Sequence, residues 1–189
     1  MSSFVAVYDA CVLYPAPLRD LLMHLALSGL YRARWTARIH DEWVSALLRQ
    51  RPDLSAEALA WTRAQMDGAV SDCLVNGYES LEAGLTLPDP NDRHVLAAAI
   101  LCGAGTIVTY NLKDFPDEVL APHGMAAQHP DQFIEHAFDL SPAAVCKAVR
   151  DHRASLKDPP KTVEELFDTY LSQGLATTVA ALRENAELL

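Results

Sequence analysis

Two short strand-like runs, Phe4-Val-Ala-Val-Tyr8 and Thr106-Ile-Val-Thr-Tyr110, stand far apart in a chain otherwise dominated by helical periodicity. Near-continuous apolar runs suit parallel strands buried on both faces, with function at their C-terminal ends. The first run is followed at once by Asp9, the second by Asn111, Lys113 and Asp114. Helical segments alternate with these runs, so the expected class is α/β with a short parallel sheet flanked by helices. Right-handed crossovers would bring the ends of the two runs close together.

The helices are marked by their start and stop signals. Leu18, Leu21, Leu22 and Leu25 follow Pro15 and Pro17, and Gly29 ends that helix. A second runs from Thr36, with Ile39, Trp43, Leu47 and Leu48 on one side, to Pro52. Ser55 caps a third that fades near Gly68. Cys73-Leu-Val-Asn-Gly-Tyr78 reads as a second, short strand, and Met125–Gln128 as the last. Asp89-Pro-Asn-Asp92 opens a helix reaching Cys102; Asp89 is the expected N-cap.

Strand signals stop before Leu140. Ser141-Pro142 opens a helix, Asp158-Pro-Pro160 breaks it, and Thr162-Val-Glu-Glu165 is a capping box for the next. The expected organisation is an α/β domain over residues 1–138 and an all-helical extension over 139–189.

With 189 residues, half of them hydrophobic, the chain can bury a full core. No apolar run approaches a membrane span, and the N-terminus reads as a strand leading to Asp9, not as a signal peptide. Cys11, Cys73, Cys102 and Cys146 form no CxxC, which suits reduced thiols and a cytoplasmic location. The net charge of −10 removes any global attraction to nucleic acid. A polyanion would need a local basic patch. Arg32, Arg34 and Arg38, with Arg49 and Arg51, are the candidates, against a solvated helix face.

Carboxylates collect at strand ends and helix starts: Asp9, Glu42, Asp92 and, after the third strand, Asp114 beside Asn111. Four carboxylates at one sheet edge repel unless cations lie between them. An oxygen-only set suits Mg²⁺ or Mn²⁺, and such a site favours in-line hydrolysis of a phosphodiester. The chain has no HExxH, GxxxxGK[ST], GxGxxG or GxSxG. His94 is expected to be a partly exposed helix residue, and Cys11 a small buried hydrophobe.

Taken in order, Val-Tyr-Asp9-Ala-Cys-Val-Leu, Asp41-Glu42-Trp, Asp89-Pro-Asn-Asp92-Arg-His-Val-Leu-Ala-Ala-Ala and Ile107-Val-Thr-Tyr-Asn111-Leu-Lys-Asp114-Phe resemble the motif series of PIN-domain proteins over roughly residues 4–135. The likeness extends to VapC-type toxins of bacterial toxin–antitoxin pairs, including those with a helical C-terminal region. The resemblance implies a three-layer PIN-like fold and a Mg²⁺- or Mn²⁺-dependent ribonuclease site. Asp9, Glu42 and Asp92 match the first three family acids. The fourth position falls on Asn111, where many members carry Asp, and Asp114 one turn on is the substitute. Asp9 and Asp92 would then ligate metal, Glu42 would bind metal or orient the attacking water, and Asn111 and Asp114 would complete the shell. An RNA substrate, an antitoxin with a basic segment and a homodimer are also implied. The alternative is a catalytically degenerate PIN scaffold whose acidic groove receives a basic partner.

Overall fold

The computed structural model describes residues 4–189. Their elements in chain order are β1 (Phe4–Tyr8), α1 (Ala10–Leu13), α2 (Ala16–Ala26), β2 (Tyr31–Arg34), α3 (Ala37–Gln50), α4 (Ala56–Ala69), α5 (Glu79–Glu82), α6 (Arg93–Cys102), β3 (Thr106–Val108), α7 (Asp117–Leu120), β4 (Ala126–Gln128), α8 (Pro130–Leu140), α9 (Pro142–Ser155), α10 (Val163–Ser172) and α11 (Ala176–Glu184). Short 3₁₀ turns include Pro90–Asp92 and Leu112–Asp114.

The chain forms two compact units: residues 4–14 with 31–129, and residues 15–30 with 130–189. The first contains the whole sheet, four parallel strands in the order β2-β1-β3-β4. From β1 the chain moves one way to β2 and later returns to the other side for β3. The C-terminal ends of β1 and β3 therefore flank a topological switch point, where open parallel sheets form their ligand crevices. Val7 pairs with Ile107 and Tyr8 with Val108, so Asp9 and Thr109 leave the sheet side by side. Ala6, Val7, Tyr8, Ile107 and Val108 are all fully buried, as their apolar composition requires.

The expected strand at 73–78 is reduced to a single bridge between Trp35 and Leu74. The second strand is instead Tyr31-Arg-Ala-Arg34. It is an edge strand: Tyr31 and Ala33 are buried while Arg32 is exposed, the alternation of a sheet margin guarded by charge. Two arginines in four residues read as a basic surface and hid the strand.

In the second unit α2 packs against α9 and α10, and α8 packs against α9 and α11. Leu18, Leu21, Leu22 and Leu25 give α2 a buried stripe at helical spacing, and Val145 and Val149 give α9 its own. Asp131 binds the start of α11, accepting from the backbone N–H groups of Thr177 and Thr178 at 2.9 and 2.8 Å. The capping box is formed: Glu165 N donates to Thr162 Oγ1, and Thr162 N to Glu165 Oε2. The second compact unit takes in α8, because its apolar face belongs with the helices that follow it.

Candidate functional site

Asp9 is the N-cap of α1, directly after β1. Its carboxylate is 5 % exposed and held by three donors: Ala10 N–H at 2.7 Å, Thr109 Oγ1 at 2.7 Å and the Cys11 thiol at 3.0 Å. Thr109 hands the arrangement on, accepting from Asn111 N–H at 3.0 Å. Thr109 and Cys11 are positioning residues that no sequence motif marks as such. Thr109 has one sequence signal, because it follows β3 in the register at which Asp9 follows β1. Cys11 is half-buried, not a buried hydrophobe; burial first, then Asp9, pushes its thiol well up, so it stays a donor. Replacing Thr109 by valine removes one donor from a buried carboxylate at nearly constant volume. The expected cost is about 1–2 kcal/mol in a urea titration.

Asp89 caps the 3₁₀ turn, accepting from Asn91 N–H at 2.9 Å. Asp92 stands at the N-cap position of α6 but makes no side-chain capping bond. Its carboxyl is pushed up to about 7, first by burial and then by Asp9, Asp89, Asp114 and Glu42. Beyond burial, the upward push comes from the like charge of these four acids, which therefore act on Asp92 through one shared field. Asp114 arrives on the 3₁₀ turn after β3.

Glu42 comes from the first turns of α3. Its Oε1 lies 2.8 Å from His94 Nε2 on α6 and 3.6 Å from Arg38 Nε. The imidazole N–H is not aimed along the line to Oε1, so the His94 contact is a close electrostatic one and not a hydrogen bond. His94 is fully buried, contrary to the expectation of a partly exposed ring. Its buried face joins α6 to α3, and it positions Glu42. Asn111 is exposed; its backbone N–H, on Thr109, links it to the cluster.

A groove of about 360 Å³ is lined by Ala10 and Cys11, which follow Asp9 in the chain, and by Tyr14, Glu42, Trp43 and Gln50. The Tyr14 hydroxyl donates to Gln50 Oε1 at 2.7 Å on its wall.

The donor set is all oxygen, which fits a hard divalent cation that keeps several waters and takes only one or two carboxylates directly. Among the described residues no three His, Cys, Asp or Glu side chains close into a ready-made cage.

Three arginines of the expected patch are compensated. Arg32 pairs with Asp72 at 3.6 Å, Arg38 with Glu82 at 3.1 Å as well as with Glu42, and Arg51 with Asp53 at 2.7 Å.

Two family profiles match the chain. The one described as PIN domain covers residues 5–113, and the one described as VapC50 C-terminal domain covers residues 130–184. One similar protein is "Putative ribonuclease VapC50" of Mycobacterium tuberculosis, 41 % identical over 92 residues. The matched region is 49 % of this chain and 54 % of that relative, so the likeness spans about half the length of each.

Proposed function

The chain belongs to the PIN-domain family, and on that premise we propose that it is a metal-dependent endoribonuclease acting as the toxin of a toxin–antitoxin pair. The observation that carries the reading is Asp92: a carboxyl without a capping role, raised to about 7 by burial and by four other acids around it. A structural helix cap would accept from the first N–H groups of its helix, and the Asp92 side chain makes no such bond.

Asp9 and Asp92 would hold Mg²⁺ or Mn²⁺, with Glu42 and Asp114 completing the oxygen set and Asn111 at the margin. The bound ion would supply charge neutralisation at the scissile phosphate and a more acidic water. The chain's own residues do the rest. Ala10, Thr109 and Cys11 fix Asp9, so its oxygens cannot swing away. His94 and Arg38 fix Glu42 at the mouth of the groove, where it can take the proton of the attacking water. In the reaction the water oxygen adds to phosphorus, the bridging P–O bond breaks, and the departing oxygen receives a proton.

The name of the M. tuberculosis relative supports RNA as the substrate, and the acidic cluster supports an antitoxin that inserts a basic segment. A homodimer and a cytoplasmic location complete the proposal. The four cysteines are unpaired, and no helix among the described residues is long and apolar enough to cross a membrane.

Partner-free protein is expected to cleave RNA only with Mn²⁺ or Mg²⁺ present. Mn²⁺ at a hundred times its Kd should stabilise the fold by about 2.7 kcal/mol. A protein that neither cleaves nor gains stability with either ion would be the degenerate binding scaffold instead.

A further inference from the structure

A concentrated positive surface lies in the helical unit. Residues 147–161 hold five of the chain's fifteen Lys and Arg side chains against two acids, in a protein of net charge −10. Lys147 is spent on Asp151. The remaining four, Arg150, Arg153, Lys157 and Lys161, line a groove of about 360 Å³ with Ala154 and Pro160.

Among the described residues none of these four is ion-paired with a side-chain carboxylate. Arg150 donates to the carbonyl of Leu188 at 3.1 Å, Arg153 to the backbone oxygen of Leu189 at 3.5 Å, and Lys161 to Thr169 Oγ1 at 2.8 Å. The neutral acceptors on Arg150 and Lys161 orient the cations without cancelling their charge. Arg150 and Arg153 sit one turn apart on α9. The bridge between Lys157 and Pro160 folds the chain back after that helix and brings Lys161 to the same groove.

We propose that the groove of Arg150, Arg153, Lys157 and Lys161 binds the phosphodiester backbone of the RNA substrate. The inference rests on the ribonuclease reading. An acidic catalytic cluster repels a polyanion, and Arg32 and Arg38 are already paired with acids, so substrate capture gains from cations elsewhere. Two guanidiniums and two ammonium groups in one open groove suit a row of phosphates.

The test is fluorescence anisotropy of a labelled single-stranded RNA with the full chain in EDTA, where binding is read without cleavage. Parent protein should bind with strong salt dependence. R150Q/K157A should bind roughly tenfold or more weakly, with the log–log salt slope flattened by about 1.4. Lys157 is exposed, so Lys157→Glu alone repeats the test if the double variant fails to fold. Parent-like binding by the folded variants overturns the proposal. So does parent-like RNA binding together with lost binding of poly-glutamate, which would assign the groove to an acidic protein partner. Cleavage by parent protein with Mn²⁺ is scored separately. Groove-dependent binding without cleavage sinks the ribonuclease reading alone, and cleavage with groove-independent binding sinks this one alone.

Discussion

Replacing Asp92 by asparagine is expected to stabilise the metal-free protein while removing its activity. Asp92 is raised from 3.8 to about 7 by burial and by its four acidic neighbours. At face value that is about 4 kcal/mol against the ionised form. The group is only half-buried, so screening reduces the net cost to about 1–2 kcal/mol. A neutral asparagine at this position would carry no such cost, and the melting temperature in EDTA should rise by roughly 2–6 °C. The effect has a defined pH window. Because the folded value is raised, the native state keeps a proton that the unfolded chain releases, and parent stability falls as pH rises from about 4 to about 7. The advantage of the variant is therefore full above pH 7 and vanishes near pH 4. Metal-dependent cleavage should drop by at least about 100-fold, since a charge facing the reacting centre is lost. Equal melting temperatures at pH 8 in EDTA would contradict the electrostatic account, whatever happens to the activity.

Asp67→Ala should have the largest effect on stability. Asp67 Oδ1 accepts from Trp35 Nε1 and from His40 Nε2, both at 2.8 Å. His40 Nδ1 in turn lies 3.0 Å from Trp43 Nε1. An indole nitrogen can only donate, so Nδ1 is the acceptor and the ring proton sits on Nε2, facing Asp67. Trp35, His40 and Trp43 are essentially fully buried. Truncation leaves two buried N–H groups without an acceptor, at about 1–3 kcal/mol each. The expected loss is about 3–4 kcal/mol, read as a lower urea midpoint at unchanged slope. Asp67→Asn keeps an acceptor oxygen and should lose far less. The chain of bonds also ties α4 to α3, the helix that carries Glu42, so the damage should reach activity. Burial, the largest influence, lowers His40, so the neutral ring contributes stability above its unfolded value of about 6.5 and that contribution is lost as pH falls through and below it.

The periodic elements were legible in the sequence because one residue type repeats along each of them. Phe4–Tyr8, the helix opened by Thr36 and the capping box at Thr162 declare themselves locally. The edge strand Tyr31–Arg34 did not, since its outward arginines carry the signal of a solvated surface. The expected strand at 73–78 failed for the opposite reason. Its apolar residues are used for packing, Val75 and Tyr78 against Ala97 and Ala98 of α6, and not for a ladder.

The acids themselves, Asp9, Glu42, Asp92 and Asp114, stand out by their places at strand ends and helix starts, and so does Asp89 as a cap. Which of them interact is a different kind of information. Sequence sets residue type and local geometry, and these determined the parallel α/β class, the helix ends and the acidic surplus. Only the tertiary structure decided that Thr109 and Cys11 grip Asp9, that buried His94 stands against Glu42, that Arg32 and Arg38 are paired with Asp72 and Glu82, and that Arg150 and Arg153 share a groove with Lys157 and Lys161. Thr109 with Asp9, His94 with Glu42, Arg32 with Asp72 and Arg38 with Glu82 join residues distant along the chain, and only the crossovers of a folded sheet and the packing of helices bring them within a few ångströms.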